Sequence, residues 1–423
     1  METLDPAVPS DQPAPGGPLP LQQSSSGSVG AYVASWLAKV RGGDTGVLPV
    51  VVGLLLIGGI FQSLNSHFLS TGNMVNLLVQ GAVFMLLAMG EVFVLLLGEI
   101  DLSAGFVAGM GGIIVAELVS HKTGWPWWVA ILIALLACAA IGALQGTIIT
   151  LLGLPAFVVT LAGQLAWQGV MLIILGNGGT LPINDSVINN LANGNLSRIA
   201  GWVIAIGLAV AYAALIWRRD ARRRSSGLVA PPTTVTFVKI AAVAVSLAVI
   251  VLTCNADRGV LAPITGVPWV VLIVLGVMLA WAGLLGRTKY GRYVYAIGGN
   301  AEAARRAGVN LALIRTIAFS LASMTAGIAG IIYASRLRSV STNLEGGTLV
   351  LYAVAAAVIG GTSLLGGRGR IAHAALGGLV IAAIDNGMSL QGFSAASKYV
   401  VTGLVLLIAV VIDALARRGR ASR

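Results

Sequence analysis

Twelve stretches of apolar residues follow one another along the chain, each near the length of a membrane-crossing helix. They lie at 47–64, 77–98, 102–119, 127–151, 154–175, 199–217, 237–254, 268–286, 316–335, 348–366, 371–390 and 398–414. A helix needs about 20 apolar residues to cross the hydrocarbon core of a bilayer. There every backbone amide must be paired within its own segment, so a chain of this pattern folds as a bundle of helices. The period-two alternation of a membrane barrel is not visible. Charged residues make up 10% of the chain, against roughly 25% in a soluble domain. The 55 glycines suit helices packed backbone to backbone. The expected fold class is an all-α integral membrane protein, a polytopic bundle of about 10–12 transmembrane helices with some broken helices. Segment 102–119 is short and 348–366 ends in glycines, so each is a candidate for a broken or re-entrant element.

The net charge of +11 is topological rather than a sign of nucleic acid. With the N-terminus inside, 20 lysines and arginines fall on the cytoplasmic side and 6 outside, which predicts both termini in the cytoplasm. The Trp125-Pro126-Trp127-Trp128 run then anchors the outer surface. Residues 1–46 are rich in Pro, Ser and Gly and read as a disordered cytoplasmic tail. The part at 31–41 is either a short helix on the membrane surface or plain linker. Residues 47–416 form the transmembrane domain and 417–423 a basic tail. A weak internal repeat pairs the turn at 98–105 with the turn at 360–367, each followed by a glycine-rich helix start.

Several chemistries lack their residues. None of the five lysines follows a glycine, so a GxxxxGK[ST] phosphate loop is absent. His67, His121 and His373 have no metal-ligand spacing, and a serine-hydrolase GxSxG is missing. Cys138 and Cys254 both fall within apolar stretches and read as small core residues. The chain is therefore expected to be no enzyme and to hold no cofactor or metal of its own.

Ionisable groups within the bilayer are costly and often functional. Glu91, Glu99, Asp101 and Asp385 are such groups, with Ser103, Thr362, Ser363 and Asn386 beside them. All eight are candidates for the translocation path or for helix breaks. For Asp101 a capping role at a helix start is the competing reading, since D-L-S is a capping pattern.

The elbow at 287–315 is the longest basic stretch between apolar segments. Within it Asn300-Ala-Glu-Ala-Ala-Arg-Arg-Ala-Gly308 reads as a short helix, capped by Asn300 and ended by Gly308. Glu302 and Arg306 stand at i, i+4 in the favourable order. A chain without a motor that keeps such an elbow is a candidate to dock one.

The run Tyr295–Asn310 resembles the coupling loop of the permease subunits of bacterial ABC sugar importers, the ribose/xylose/arabinose/galactoside group. Three further blocks agree, Gly98–Gly105 (GEIDLSAG), Pro155–Leu161 (PAFVVTL) and Ala355–Gly369 (AAAVIGGTSLLGGRG). The resemblance spans 73–413. Glu99 departs from it, standing where the family pattern has glycine, as does Ala104 in place of valine. The expanded middle around 218–236 is most similar to the xylose-type permease.

The resemblance implies a homodimer in the bacterial cytoplasmic (inner, plasma) membrane that imports a monosaccharide, xylose or a related pentose. It implies a cytoplasmic ATP-binding cassette ATPase, carrying ATP and Mg, docked on Asn300, Glu302, Ala303, Ala304, Arg305, Arg306 and Gly308. It also implies an extracytoplasmic sugar-binding protein, and no nucleic acid. The competing reading is a stand-alone ion-coupled carrier of a small polar solute, using Glu91 or Asp385. An enzyme acting on lipid-linked sugars lacks a catalytic constellation.

Overall fold

The computed structural model describes residues 46–176, 179–228, 230–259, 263–342 and 346–421, together with residues 30, 34, 37 and 38; within 408–421 only Val411 is described at the side-chain level. Most of the N-terminal tail, most of the surface segment at 31–41 and the last two residues lie outside the described residues.

Each apolar segment forms a helix. In chain order these are α1 (Leu48–Leu64), α2 (Thr71–Leu95), α3 (Ala104–Leu118), α4 (Trp127–Leu152) and α5 (Ala156–Leu175). A strand β1 (Thr180–Pro182) and helix α6 (Ser186–Asn193) precede the pair α7 (Arg198–Ser225) and α8 (Thr233–Asn255). Then come α9 (Trp269–Arg287), the elbow helices α10 (Lys289–Gly299) and α11 (Ala301–Arg306), and α12 (Leu311–Leu337). Strand β2 (Ser339–Ser341), α13 (Gly346–Ile359), α14 (Ile371–Leu390) and α15 (Ala395–Ala421) complete the chain. Among the described residues, eight helices are long and apolar enough to cross a membrane and four apolar helices are shorter.

Helix α12 is the central post, and glycines set its distance from its neighbours. A Cβ on Gly111 of α3 would lie 2.8 Å from Gly327 Cα, and one on Gly142 of α4 2.7 Å from the Phe319 carbonyl carbon. Small residues let backbones approach this closely where lipid supplies no hydrophobic contrast between helices. The order of contacts gives direction. Cys138, Gly142 and Gly146 of α4 meet Gly327, Phe319 and Thr316, so α4 is antiparallel to α12. Gly90 of α2 meets Ala322 and Thr325, and Glu99 just beyond α2 pairs with Arg315, so α2 is antiparallel to α12 as well.

Since α2 and α4 run the same way, the chain between them has to return across the bundle, and α3 is that return. Likewise Gly81 meets Ala382 and Gly378 meets Met85, which makes α14 antiparallel to α2 and parallel to α12. The return between α12 and α14 is α13. These are the two segments the sequence singled out, and both traverse rather than re-enter. Their 15 and 14 residues give only about 22 Å of helix. Irregular backbone leads into α3 in the turn 96–103. Val340 of β2 sits against Gly112 and Gly346 at the start of α13 against Gly105, so both are buried against α3. Non-helical backbone survives at such depth where protein covers it.

The face opposite the elbow carries β1 and β2, paired antiparallel with Leu181 opposite Val340. Helix α6, capped by Asp185 on the Ile188 amide, donates to Ser335 of α12 from its Ala192 amide at 2.9 Å and from Asn193 to the Ser335 carbonyl. The α7–α8 pair packs at the periphery, its buried side resting on Val75 of α2. The arginine run after Trp217 continues α7 as helix; there Thr236 of α8 donates to Asp220 at 2.8 Å and Arg224 to the Pro231 carbonyl.

Candidate transport and coupling sites

The elbow ends earlier than the sequence boundary at Arg315. Asn310 accepts the Leu313 amide at 3.0 Å and starts α12, so the elbow proper is 288–310. Asn300 splits it: it closes α10 and accepts the Ala303 amide at 2.9 Å to cap α11. Glu302 lies within salt-bridge distance of Arg305 and Arg306, 2.9 Å each. The hydrogen bonds from Arg305 and then Arg306 hold its carboxyl below the usual range. Gly308, at φ +82°, ends the helix, and the Val309 amide returns to the Ala304 carbonyl. Ala304 is buried, whereas Glu302, Ala303, Arg305 and Arg306 are exposed. The result is a short charged helix with one small residue at its root.

That root leads to a junction where the four sequence blocks converge. Gly298 near the end of α10 lies against Leu96 and Gly367, and the Gly367 amide donates to the Leu96 carbonyl at 2.9 Å. A Cβ on Gly366 would stand 2.9 Å from the Gly98 nitrogen. Tyr295 of α10 donates to the Gly369 carbonyl at 2.8 Å, and Thr160 of α5 lies 3.3 Å from the Ile100 carbonyl. The two glycine turns of the weak repeat therefore touch each other and the elbow. Glu99, the departure from the family pattern, has its carboxylate 2.9 Å from Arg315 Nε, an ion pair in which the N–H does not point along the contact.

Of the acidic groups, Glu91 and Asp101 are neighbours and Asp385 stands apart. Asp101 is fully buried and accepts the Ser103 amide at 2.8 Å and the Ser103 hydroxyl at 2.6 Å; Gln145 of α4 stands 3.0 Å from that hydroxyl. This is a turn two residues before α3 rather than a side-chain cap, since Ser103 holds the cap position without a capping bond. Glu91 of α2 is buried beside Asp101, and neither carboxylate oxygen meets hydrogen-bond geometry with a partner among the described residues. Thr362 and Ser363 are buried in the 360–370 turn beside Gly369. Asn386 exchanges hydrogen bonds with Asn73 of α2 at 2.8 and 3.0 Å.

Asp385 differs from all of these. It bonds Gln80 of α2, lies 3.3 Å from Lys398 of α15, and lines a cavity of about 360 Å³. Arg336, Tyr333 and Tyr352 line the same cavity. The sequence signal for Gln80 was a lone amide in an apolar segment; for the tyrosines there was none. Among the described residues no group of three or more His, Cys, Asp or Glu could hold a metal ion.

Comparisons with known proteins agree with this architecture. The family described as branched-chain amino acid transport system / permease component matches residues 73–410. The xylose transport system permease protein XylH of Escherichia coli (strain K12) is 37% identical over 353 residues, 83% of this chain and 87% of that protein. XylH of Haemophilus influenzae is 35% identical over 89% of this chain and 98% of its own length. The ribose import permease protein RbsC of E. coli (strain K12) is 31% identical over 90% and 95%. No solved structure matches the chain. The matched region takes in the elbow, the junction and the helices around the cavity, and the chain belongs to this family of transport-system permeases.

Proposed function

We propose that the chain is the membrane-spanning subunit of an ATP-driven importer of a monosaccharide, a pentose such as xylose being the first candidate. The observation that carries this reading is the elbow: a capped, exposed, charged helix carried by α10, whose Gly298 is backbone-packed onto the turns 96–103 and 360–370. Such an element transmits a push, because a junction of glycine backbones has no side chains to absorb it. The sugar is supported by the names of the relatives, xylose and ribose permeases, over the amino acid in the family's description.

A separate ATPase holding ATP and Mg docks on α11, and the elbow face is cytoplasmic, with both termini on that side. Two copies of the chain form the pathway in the bacterial inner membrane, and an extracytoplasmic binding protein delivers the sugar to the opposite face. Closure of the ATPase pair drives the two elbows together, and rocking of the helix blocks alternates access.

The test is purification of the tagged chain from its native membrane with its partners. An ATP-hydrolysing subunit that co-purifies, and is lost from Glu302→Ala/Arg306→Ala, is expected. A chain that transports pentose in vesicles without ATP, driven by a proton gradient, refutes the reading.

A further inference from the structure

We propose that the cavity around Asp385 is a binding site for a polyhydroxylated solute, a stopping point for sugar within the permease itself. This rests on the proposed function and goes beyond it, since the delivery protein alone would otherwise account for sugar recognition.

The cavity lies at the ends of α2, α12, α14 and α15 away from the elbow. Its volume of about 360 Å³ falls in the small-molecule range of about 300–1,000 Å³. Its walls carry two chemistries. On one side Asp385 is held between Gln80 and Lys398, with Arg336 also on the wall. On the other, Phe84 and Tyr352 meet edge to face with centroids 5.5 Å apart, and Phe393 and Tyr399 stand exposed at the mouth. A sugar presents the matching pair of surfaces. Its hydroxyls donate to a carboxylate and accept from amide, ammonium and guanidinium groups, while its C–H face lies on aromatic rings. An apolar solute would strip water from the charged wall and return no hydrogen bonds, which is how such a site rejects it.

Beside the cavity a hollow of about 30 Å³ shares Val83, Tyr333 and Leu349 with it and runs between Gly109, Gly112 and Gly330 and the strand β2. That is room for about one water, so the hollow does not admit a sugar.

Ala395 lines the cavity, is exposed and makes none of the bonds above. Both native cysteines are buried. Ala395→Cys therefore offers a single reporter thiol for a charged, membrane-impermeant methanethiosulfonate, applied to cells carrying the full transporter. Modification is expected to block uptake. D-xylose or D-ribose at about ten times its dissociation constant is expected to slow labelling about tenfold, because about one site in eleven stays empty. Asp385→Asn should raise the sugar concentration needed for that protection while the complex still assembles. Labelling indifferent to both sugars, with uptake unchanged after modification, overturns the site. Wild-type cells that import neither sugar overturn the functional reading, and the site with it.

Discussion

Two adjacent glycines at the end of α10 offer a test of the junction in which only position changes. A methyl group on Gly299 meets nothing within 4 Å, whereas one on Gly298 would overlap the Leu96 carbonyl oxygen and lie 2.5 Å from the Gly367 nitrogen and 3.0 Å from its Cα. Carbon contacts are optimal near 3.5–4.0 Å, so Gly298→Ala forces the elbow away from both turns by roughly 1 Å. The neighbours are backbone on every side and cannot turn aside. Overpacking of this kind costs about 1–3 kcal/mol, at times more. Alanine recovers up to about 1 kcal/mol through helix propensity at either position. Gly299→Ala is thus expected to be neutral or slightly stabilising. Gly298→Ala is expected to cost up to about 2 kcal/mol net, enough to shift the junction's equilibrium about thirtyfold. The assay pairs thermal unfolding of the detergent-solubilised chain with pentose uptake and ATP hydrolysis by the complex. Gly298→Ala should hydrolyse ATP with lowered uptake. If the two variants behave alike in both measurements, the junction is not a tight backbone contact and the reasoning fails.

Other expectations follow from single contacts. Asn300→Ala removes the cap of α11 and should weaken that helix by about 0.5–2 kcal/mol; recovery of ATPase binding in Asn300→Asp but not in the alanine variant is the check. Glu99→Gln and Arg315→Gln each break a partly buried ion pair, with an expected loss of about 1–3 kcal/mol, below the full cost of a sealed pair because Arg315 retains some solvent. A double-mutant cycle should return a coupling energy, and additive losses would show that the two side chains act separately. Glu91 has no cation against it among the described residues, so Glu91→Gln should insert and transport normally while Glu91→Lys accumulates poorly. A transport-dead, well-folded Glu91→Gln would place that carboxyl in the path.

The fold was legible wherever hydropathy decides it, and boundaries moved where polar residues have partners the sequence cannot display. Helix α2 begins at Thr71 rather than 77 because Ser70 caps it and Asn73 is satisfied by the Phe68 carbonyl and Asn386. The apolar segment ends at Trp217, yet arginine is a good helix former and α7 continues through the arginines to Ser225. The α6 cap rests on the single residue Asp185 and the β1–β2 pairing on three-residue strands, too short for any periodicity. In the sites, Asn300 and Gly308 were readable because caps are local. That Glu99 meets Arg315 and Asp385 meets Lys398 and Gln80 was not, since each partner lies on a helix distant in sequence or across a turn. Of the eight path candidates, Asp385 lines the cavity, while Asn386, one residue on, faces Asn73 instead.

The glycine contacts along α12 also determine how a chain of this kind can drift. Every substitution at Gly111, Gly142 or Gly330 adds atoms, and each of those atoms would land on a neighbouring backbone. A second-site change of side chain makes little room, because the closest atoms at all three are backbone. Variation is channelled outward, to the exposed leucines, valines and isoleucines of α7 and α8, where one apolar group serves as well as another. Two such permeases can then differ at most of their lipid-facing positions and still superimpose at the post.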